Sequence, residues 1–355
     1  MLPPHSSLLV AIVLLSSACG TSPGEQGDSP SEGAAFGNPA SPDRPGEGPS
    51  DADTDADSDT DTDTDSDTDT DTDTDADTAP DGDPGTDSGA PIRFIAIGDA
   101  GTGSGDQYAV ADAVAMVCAA HGCDFALYLG DNFYNDGVSS VDDAQWQESF
   151  ELPYAALEFP FYAVLGNHDY GSGGGGFEVD RANAQVEYAS QSDKFVMPST
   201  FYSHVKGNAT FFGLDTTALD WGRSQEQAAW LPGALAEVRT TWTIAYGHHP
   251  YISNGDHGNA NDNFGPFFED NLCGKVDVYL CGHDHDLQWL EPTCGTEFIV
   301  SGAGAKLRDT GMGSNPTQYE QSQLGFMWVE INSGVFTGVF YDDSGNELFR
   351  QTITK

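Results

Sequence analysis

From residue 91 onward, short apolar runs punctuated by glycine organise this chain. Ile92–Ile97 (IRFIAI), Phe125–Leu129 (FALYL), Phe161–Leu165 (FYAVL), Trp242–Tyr246 (WTIAY) and Val276–Cys281 (VDVYLC) are rich in β-branched and aromatic residues. They are too short for buried helices and read as strands buried on both faces. Gln107–Ala120 has helical spacing instead, with Val110, Val114 and Val117 on one face. Ser224–Val238 reads as a second helix, opened by Ser224 with Glu226 in its first turn. Glu297–Val300, Phe326–Ile331, Val335–Tyr341 and Glu347–Thr352 follow as shorter strands with no helix between them.

The recurring unit is a strand, then a glycine, then a polar side chain. Open α/β sheets build their sites in the crevice beyond the carboxyl ends of such strands. The pattern therefore predicts an α/β fold over residues 91–355, a two-sheet β-sandwich flanked by helices. The helix-free C-terminal strands are expected to form a second sheet packed against the first.

The N-terminal part differs. Leu8–Leu15 is apolar but too short to span a bilayer, and has the length of a signal-peptide core. Ser16-Ser17-Ala18-Cys19 resembles a bacterial lipoprotein processing site, with simple cleavage as the alternative. Residues 1–19 are thus expected to be an export signal. The mature chain is then a lipoprotein of the outer membrane or cell surface anchored through Cys19, or a secreted protein. Residues 20–90 are rich in Pro, Gly, Ser, Asp and Thr, and alternate Asp with Thr, Ser or Ala over 51–78. Such a segment buries too little apolar surface to offset its ordering entropy, and its charges repel, so a disordered acidic tether spanning ~45 Å or more is expected. A calcium-binding repeat would need turn glycines and a terminal Glu that are missing.

Charge narrows the partners. Residues 21–90 hold 22 of the 57 acidic and one of the 12 basic residues, which leaves the remainder near −24. A surface so negative repels nucleic acid and anionic membranes. After Cys19, five cysteines remain: Cys118, Cys123, Cys273, Cys281 and Cys294. An odd count leaves at least one thiol without an intrachain partner, and the pairing of the others is not readable from spacing.

Five motifs carry the chemistry: Gly98-Asp99-Ala100-Gly101, Gly130-Asp131-Asn132-Phe133-Tyr134, Gly166-Asn167-His168-Asp169, Gly247-His248-His249-Pro250 and Gly282-His283-Asp284-His285. Each sets an oxygen or nitrogen donor beside a glycine that lets the backbone turn sharply. Mixed Asp, Asn, Tyr and His donors suit iron, zinc or manganese rather than thiolate chemistry. Taken singly, an Asp after a strand reads as a helix cap and Tyr134 as a half-buried aromatic. Seven donors in ordered glycine contexts read as a two-metal hydrolase instead. His5, His121 and His204 read as surface or structural, and His249 has no assigned role. The glycine-rich segment 171–176 (GSGGGG) reads as an unstructured insertion, with a flexible loop that shapes substrate access as the alternative.

In this order the motifs resemble those of calcineurin-like metallophosphoesterases, most closely the purple acid phosphatases of the tartrate-resistant type, over roughly residues 92–350. Phe212-Gly213-Leu214-Asp215-Thr216 belongs to the same resemblance. Most metallophosphoesterases have Asp-x-His in the first motif. Here Gly101 stands in the third position, and Tyr134 replaces the lost imidazole, as in purple acid phosphatases. The resemblance implies ferric iron on Asp99, Tyr134 and His285, a divalent ion (Fe, Zn or Mn) on Asn167, His248 and His283, and Asp131 bridging the two. It further implies that His168 and His257 contact the substrate and that a metal-bound hydroxide attacks a phosphate monoester; Asp169, beside His168 in sequence, is expected to orient it. A monomer acting on small phosphoesters is expected. A phosphodiesterase or nucleotide hydrolase using the same site, and a non-catalytic surface module, are the alternatives.

Overall fold

The computed structural model describes residues 89–355. The leader, Cys19, His5 and nearly all of the acidic tether lie outside the described residues. Fourteen strands run in chain order: β1 (Ile92–Ile97), β2 (Phe125–Tyr128), β3 (Phe161–Ala163), β4 (Phe195–Val196), β5 (Tyr202–Lys206), β6 (Ala209–Gly213), β7 (Trp242–Tyr246), β8 (Val278–Cys281), β9 (Leu287–Leu290), β10 (Glu297–Ser301), β11 (Thr317–Gln321), β12 (Gly325–Asn332), β13 (Val335–Asp342) and β14 (Glu347–Thr354). The helices are α1 (Gly105–His121), α2 (Val179–Ala189), α3 (Thr216–Asp220), α4 (Gln225–Ala236) and α5 (Phe264–Asn271).

The strands form two seven-stranded sheets, ordered β14-β13-β12-β1-β2-β3-β4 and β11-β9-β10-β8-β7-β6-β5. In the first, β1 to β4 are parallel and β12 to β14 extend the sheet antiparallel from β1. In the second, β6, β7, β8 and β10 are parallel, with antiparallel strands at both edges. The two-sheet α/β sandwich matches the sequence expectation, but the origin of the second sheet does not. Of the four C-terminal strands, Glu297–Ser301 (β10) lies in the second sheet, while β12, β13 and β14 join the first, because β12 pairs with β1 from Ile92↔Ile331 to Ala96↔Met327. The second sheet is built mainly from the middle of the chain, around β6, β7 and β8.

Aromatic side chains fill the space between the sheets. Phe211 of β6 meets Phe94 of β1 edge-on at 5.5 Å and Phe125 of β2 at 5.4 Å. Trp289 of β9 packs near Phe336 of β13. Fully burying each such ring contributes roughly 1.5–3 kcal/mol. A second cluster, with Phe212, Leu231, Phe264, Phe268, Tyr279 and Phe298, seats α4 and α5 on the outer face of the second sheet. Two disulfides clip exposed corners: Cys118–Cys123 at the end of α1, and Cys273–Cys294. Cys281 in β8 is a buried free thiol, in keeping with the odd cysteine count.

His204, read from sequence as surface or structural, is structural. Its ring stacks at 4.0 Å on Tyr162 and 5.1 Å from Phe211. Neither ring nitrogen reaches a partner or solvent. Burial, with Lys206 adding to it, pushes the pKa down to about 3 from an ordinary 6.5. Between those values the unfolded chain takes up a proton that the folded chain refuses. Stability present above pH 6.5 is therefore lost as pH falls towards 3, by about 1.4 kcal/mol per pH unit at most. His204→Phe should reduce the stability lost between pH 7 and pH 4 by up to about 3 kcal/mol in denaturant melts. An unchanged pH dependence would contradict this account.

Candidate metal centre

The carboxyl ends of parallel strands from both sheets meet at one edge. Asp99, Asp131 and Asn167 follow β1, β2 and β3, while His248 and His283 follow β7 and β8. Backbone bonds stitch these turns together: Asp99 N–H donates to Gly130 C=O (3.1 Å), Gly282 N–H to His248 C=O (3.0 Å) and Gly98 N–H to Ser301 C=O (2.8 Å). Asp99, Asp131 and His283 adopt left-handed backbone with φ of 57°, 52° and 70°. That region is costly for residues with a Cβ and persists where surrounding structure enforces it, typically at functional sites. Gly130, at φ 86°, leaves space that a Cβ could not share, since it would lie 2.7 Å from His248 Nδ1.

The donors divide into two groups. In one, the Tyr134 hydroxyl lies 3.0 Å from Asp99 Oδ1 and 3.3 Å from His285 Nε2, and His285 Nε2 lies 3.4 Å from Asp99 Oδ1. In the other, His248 Nε2 lies 2.9 Å from Asn167 Oδ1 and 3.1 Å from His283 Nδ1. Asp131 sits between them, with Oδ1 3.4 Å from His248 Nε2 and its charge acting on Tyr134. Ligands held about 2.0–2.2 Å from one ion stand roughly 3 Å apart, so these separations suit a coordination sphere. Asp99, Asp131 and His248 also bring donor atoms within 4.8 Å of one another. The residues present fit two metal ions sharing Asp131.

Electrostatics favour the same conclusion. Burial pushes the Asp99 carboxyl up to about 8; His248 opposes the rise and Asp131 adds to it. Burial also acts to raise Asp131, but His248, His168 and hydrogen bonds together hold it below its usual range. Burial, then Asp131 and Asp99, keeps the Tyr134 hydroxyl protonated well above its ordinary pKa. His285 is lowered to about 4 by burial, with Arg308 adding to it. Burial likewise lowers the His283 imidazole, and such imidazoles around crowded carboxylates form a site that a cation would stabilise, reversing these shifts.

Around the donors, further contacts set their orientation. The sequence reading placed Asp169 behind His168; the structure places it elsewhere. Asp169 accepts from the backbone N–H of Asn132 (3.1 Å), Phe133 (3.1 Å) and Gly166 (2.7 Å), and from Gln185 Nε2 (2.8 Å). It therefore ties the second and third motif loops together, and the His168 ring is fixed instead by Asn135 C=O, 2.7 Å from Nδ1. A carbonyl only accepts, so Nδ1 carries the proton, while Nε2 lies 3.9 Å from Asp131 Oδ2. His257 stacks on His283 at 4.0 Å, and its Nε2 accepts from Arg308 Nη1 at 2.9 Å. Burial, with Arg308 opposing a second positive charge, lowers the His257 pKa. His249 is buried, and its Nδ1 lies 3.1 Å from Thr216 Oγ1.

Four contributors stand outside the expected site residues. Thr216 Oγ1 accepts from the N–H of His248 (3.0 Å) and His249 (2.9 Å), fixing that turn. Lys306 Nζ stands 3.7 Å over the Tyr134 ring. Arg308 bridges His257 and Asp256, the latter at 2.8 Å. The segment 171–176, expected to be an unstructured insertion, is ordered against Asn167 and His168. The one signal for the two cations was their rarity in so acidic a domain. A cavity of about 330 Å³ opens beside the donors, lined by Asn167, Gly174, Trp221, His249, His257 and His283. A larger groove of about 790 Å³, lined by Phe212, Trp230 and Val238 among others, contains none of the donors.

Residues 92–287 match the family model of the calcineurin-like phosphoesterases. The chain is 30% identical over 304 residues to human tartrate-resistant acid phosphatase type 5, covering 74% of this chain and 91% of the relative. It is 31% identical over 301 residues to purple acid phosphatase 7 of Arabidopsis thaliana, covering 76% and 88%. Among solved structures it is similar to GAP50, the anchor in the inner membrane complex of Plasmodium, with a TM-score of 0.64 and 22% identity over 74% of this chain and 89% of that one. That last likeness shows the fold alone. The chain belongs to the calcineurin-like phosphoesterases, among the hydrolases of the purple, tartrate-resistant acid phosphatase type.

Proposed function

We propose that this protein is an exported acid phosphatase that hydrolyses small phosphate monoesters at acidic to neutral pH. Asp99, Tyr134 and His285 would hold ferric iron, Asn167, His248 and His283 a divalent Fe, Zn or Mn, and Asp131 both. The observation that supports this most is the division of the donors into two groups on either side of Asp131. Two such ions supply positive charge that clamps a phosphoryl group and acidifies water. The protein's own groups do the rest. His168, with Nδ1 committed to Asn135 C=O, presents Nε2 to the centre as the atom that contacts the phosphate or holds a proton for the leaving oxygen. His257 lies at the mouth with Arg308 on its Nε2, so that the guanidinium is the lasting positive charge there. Lys306 adds a second cation over Tyr134. Together they offset locally the net negative charge of the domain, which itself disfavours nucleic acid as a ligand. Export through residues 1–19, with Cys19 as a lipid anchor or the chain secreted, and a monomeric state complete the reading. No described helix is long and apolar enough to cross a membrane.

Three measurements test it. The purified protein should show a visible tyrosinate-to-ferric absorption band with about two metals per chain. Tyr134→Phe should lose the band, and a variant that keeps it would remove Tyr134 from the ligand set. His168→Ala should lower turnover ~10²–10⁴-fold with metal content unchanged, while equal loss of both would sink its role. A monoester and a diester of one chromogenic leaving group should differ at least tenfold in kcat/KM in favour of the monoester, about 1.4 kcal/mol of transition-state preference. A preference for the diester would replace this reading with a phosphodiesterase.

A further inference from the structure

The segment 171–176 lies beside the third motif and has no place in the mechanism above. Its path is pinned at several points. Gly173 N–H donates to Asp136 Oδ1 at 2.7 Å, and Ser172 Oγ donates to Glu178 Oε1 at 2.9 Å. Glu178 is held in turn by Arg181 Nε at 2.7 Å and by its own N–H on Tyr170 C=O at 2.8 Å. Within this frame Gly174 C=O accepts from Asn167 Nδ2 at 3.2 Å. Gly174 has φ 88°, and a Cβ there would collide with Asn167 Nδ2 and lie 2.9 Å from His168 Nε2.

An asparagine amide can present either end to a cation, and only its oxygen is a donor to a hard or borderline metal. A carbonyl accepts only from the NH₂ end. With Nδ2 committed to Gly174, Oδ1 is left facing His248 Nε2 at 2.9 Å, in the second donor group. We propose that Gly174 is a positioning residue for the divalent metal, its carbonyl turning the Asn167 amide oxygen towards the site and its missing side chain permitting the approach. This rests on the two-metal reading given above. Tyr134, Asp99 and His285 form no hydrogen bond or ion pair with the segment, so the first donor group should not depend on it.

The test compares Gly174→Ala with Gly175→Ala in the purified full chain. Gly175 has an ordinary φ of −103°, and a Cβ there would meet nothing nearer than Ser172 C=O at 3.6 Å. Outer partners of metal ligands typically change affinity 10–100-fold, so Gly174→Ala should bind zinc at least tenfold more weakly when zinc is titrated into the iron-only protein. Metal content as purified should fall from about two per chain towards one, with the visible band kept. Gly175→Ala should match the parent in every readout. Gly174→Ala binding zinc as tightly as the parent would overturn the positioning role alone. Loss of both metals together with the band would also overturn it, showing a structural effect instead. A parent chain that takes up iron but no second metal would overturn both this role and the two-metal reading.

Discussion

Two buried carboxylates, Asp99 and Asp131, sit close enough that neither can hold its charge without help, and the arrangement around them answers that conflict. Backbone N–H groups reach in first: His283 N–H donates to Asp99 Oδ2 at 2.8 Å, and His168 N–H to Asp131 Oδ1 at 2.9 Å. Imidazoles and an amide oxygen close the space around them. Every nearby turn is shaped by the need to bring these atoms together, including three residues with Cβ atoms held at positive φ. A cation removes the repulsion that the fold alone leaves in place.

Strand direction explains why the conflict arises here. Parallel strands deliver all their carboxyl ends to one side, and two sheets packed face to face deliver them from two directions. Gly98 and Gly282, from opposite sheets, approach so closely that a Cβ on the first would lie 3.2 Å from the Cα of the second. Asp169 and Thr216 then work one layer out, Asp169 gathering N–H groups from two turns and Thr216 the two of the His248–His249 turn. The donors are positioned by backbone, and the backbone is positioned by buried polar side chains.

Much of this was readable in the chain itself. Strands β1, β2, β3, β7 and β8 announce themselves as apolar runs, and all seven expected donors stand directly after one or within a few residues of it. What could not be read is partnership. The pattern Phe326–Ile331 identifies a strand but not that it lies beside β1, because side-chain alternation encodes which face is buried and not which neighbour is paired. The sequence reading named no element for the β5–β6 hairpin or for α2 and α5; the two helices, of 11 and 8 residues, offer few turns over which a period can repeat. Asp169 sat next to His168 in sequence, which suggested a contact that the 3₁₀ turn His168–Tyr170 does not make. Glycine composition at 171–176 signals chain freedom equally well whether the freedom is used for disorder or for close approach.

The donors also come from both halves of the sandwich, and that has a thermodynamic corollary. An ion held by Asp99 and His285, or by Asn167 and His248, cross-links one sheet to the other through a handful of bonds at their shared edge. Such a ligand would bind the native state and not the unfolded chain, so folding and metal supply would become one linked equilibrium. At a free concentration a thousand times the dissociation constant, the linkage adds about 4 kcal/mol, comparable with the whole margin of an ordinary domain. The resistance of this protein to unfolding would then report the metal economy of its surroundings as much as the packing of its core.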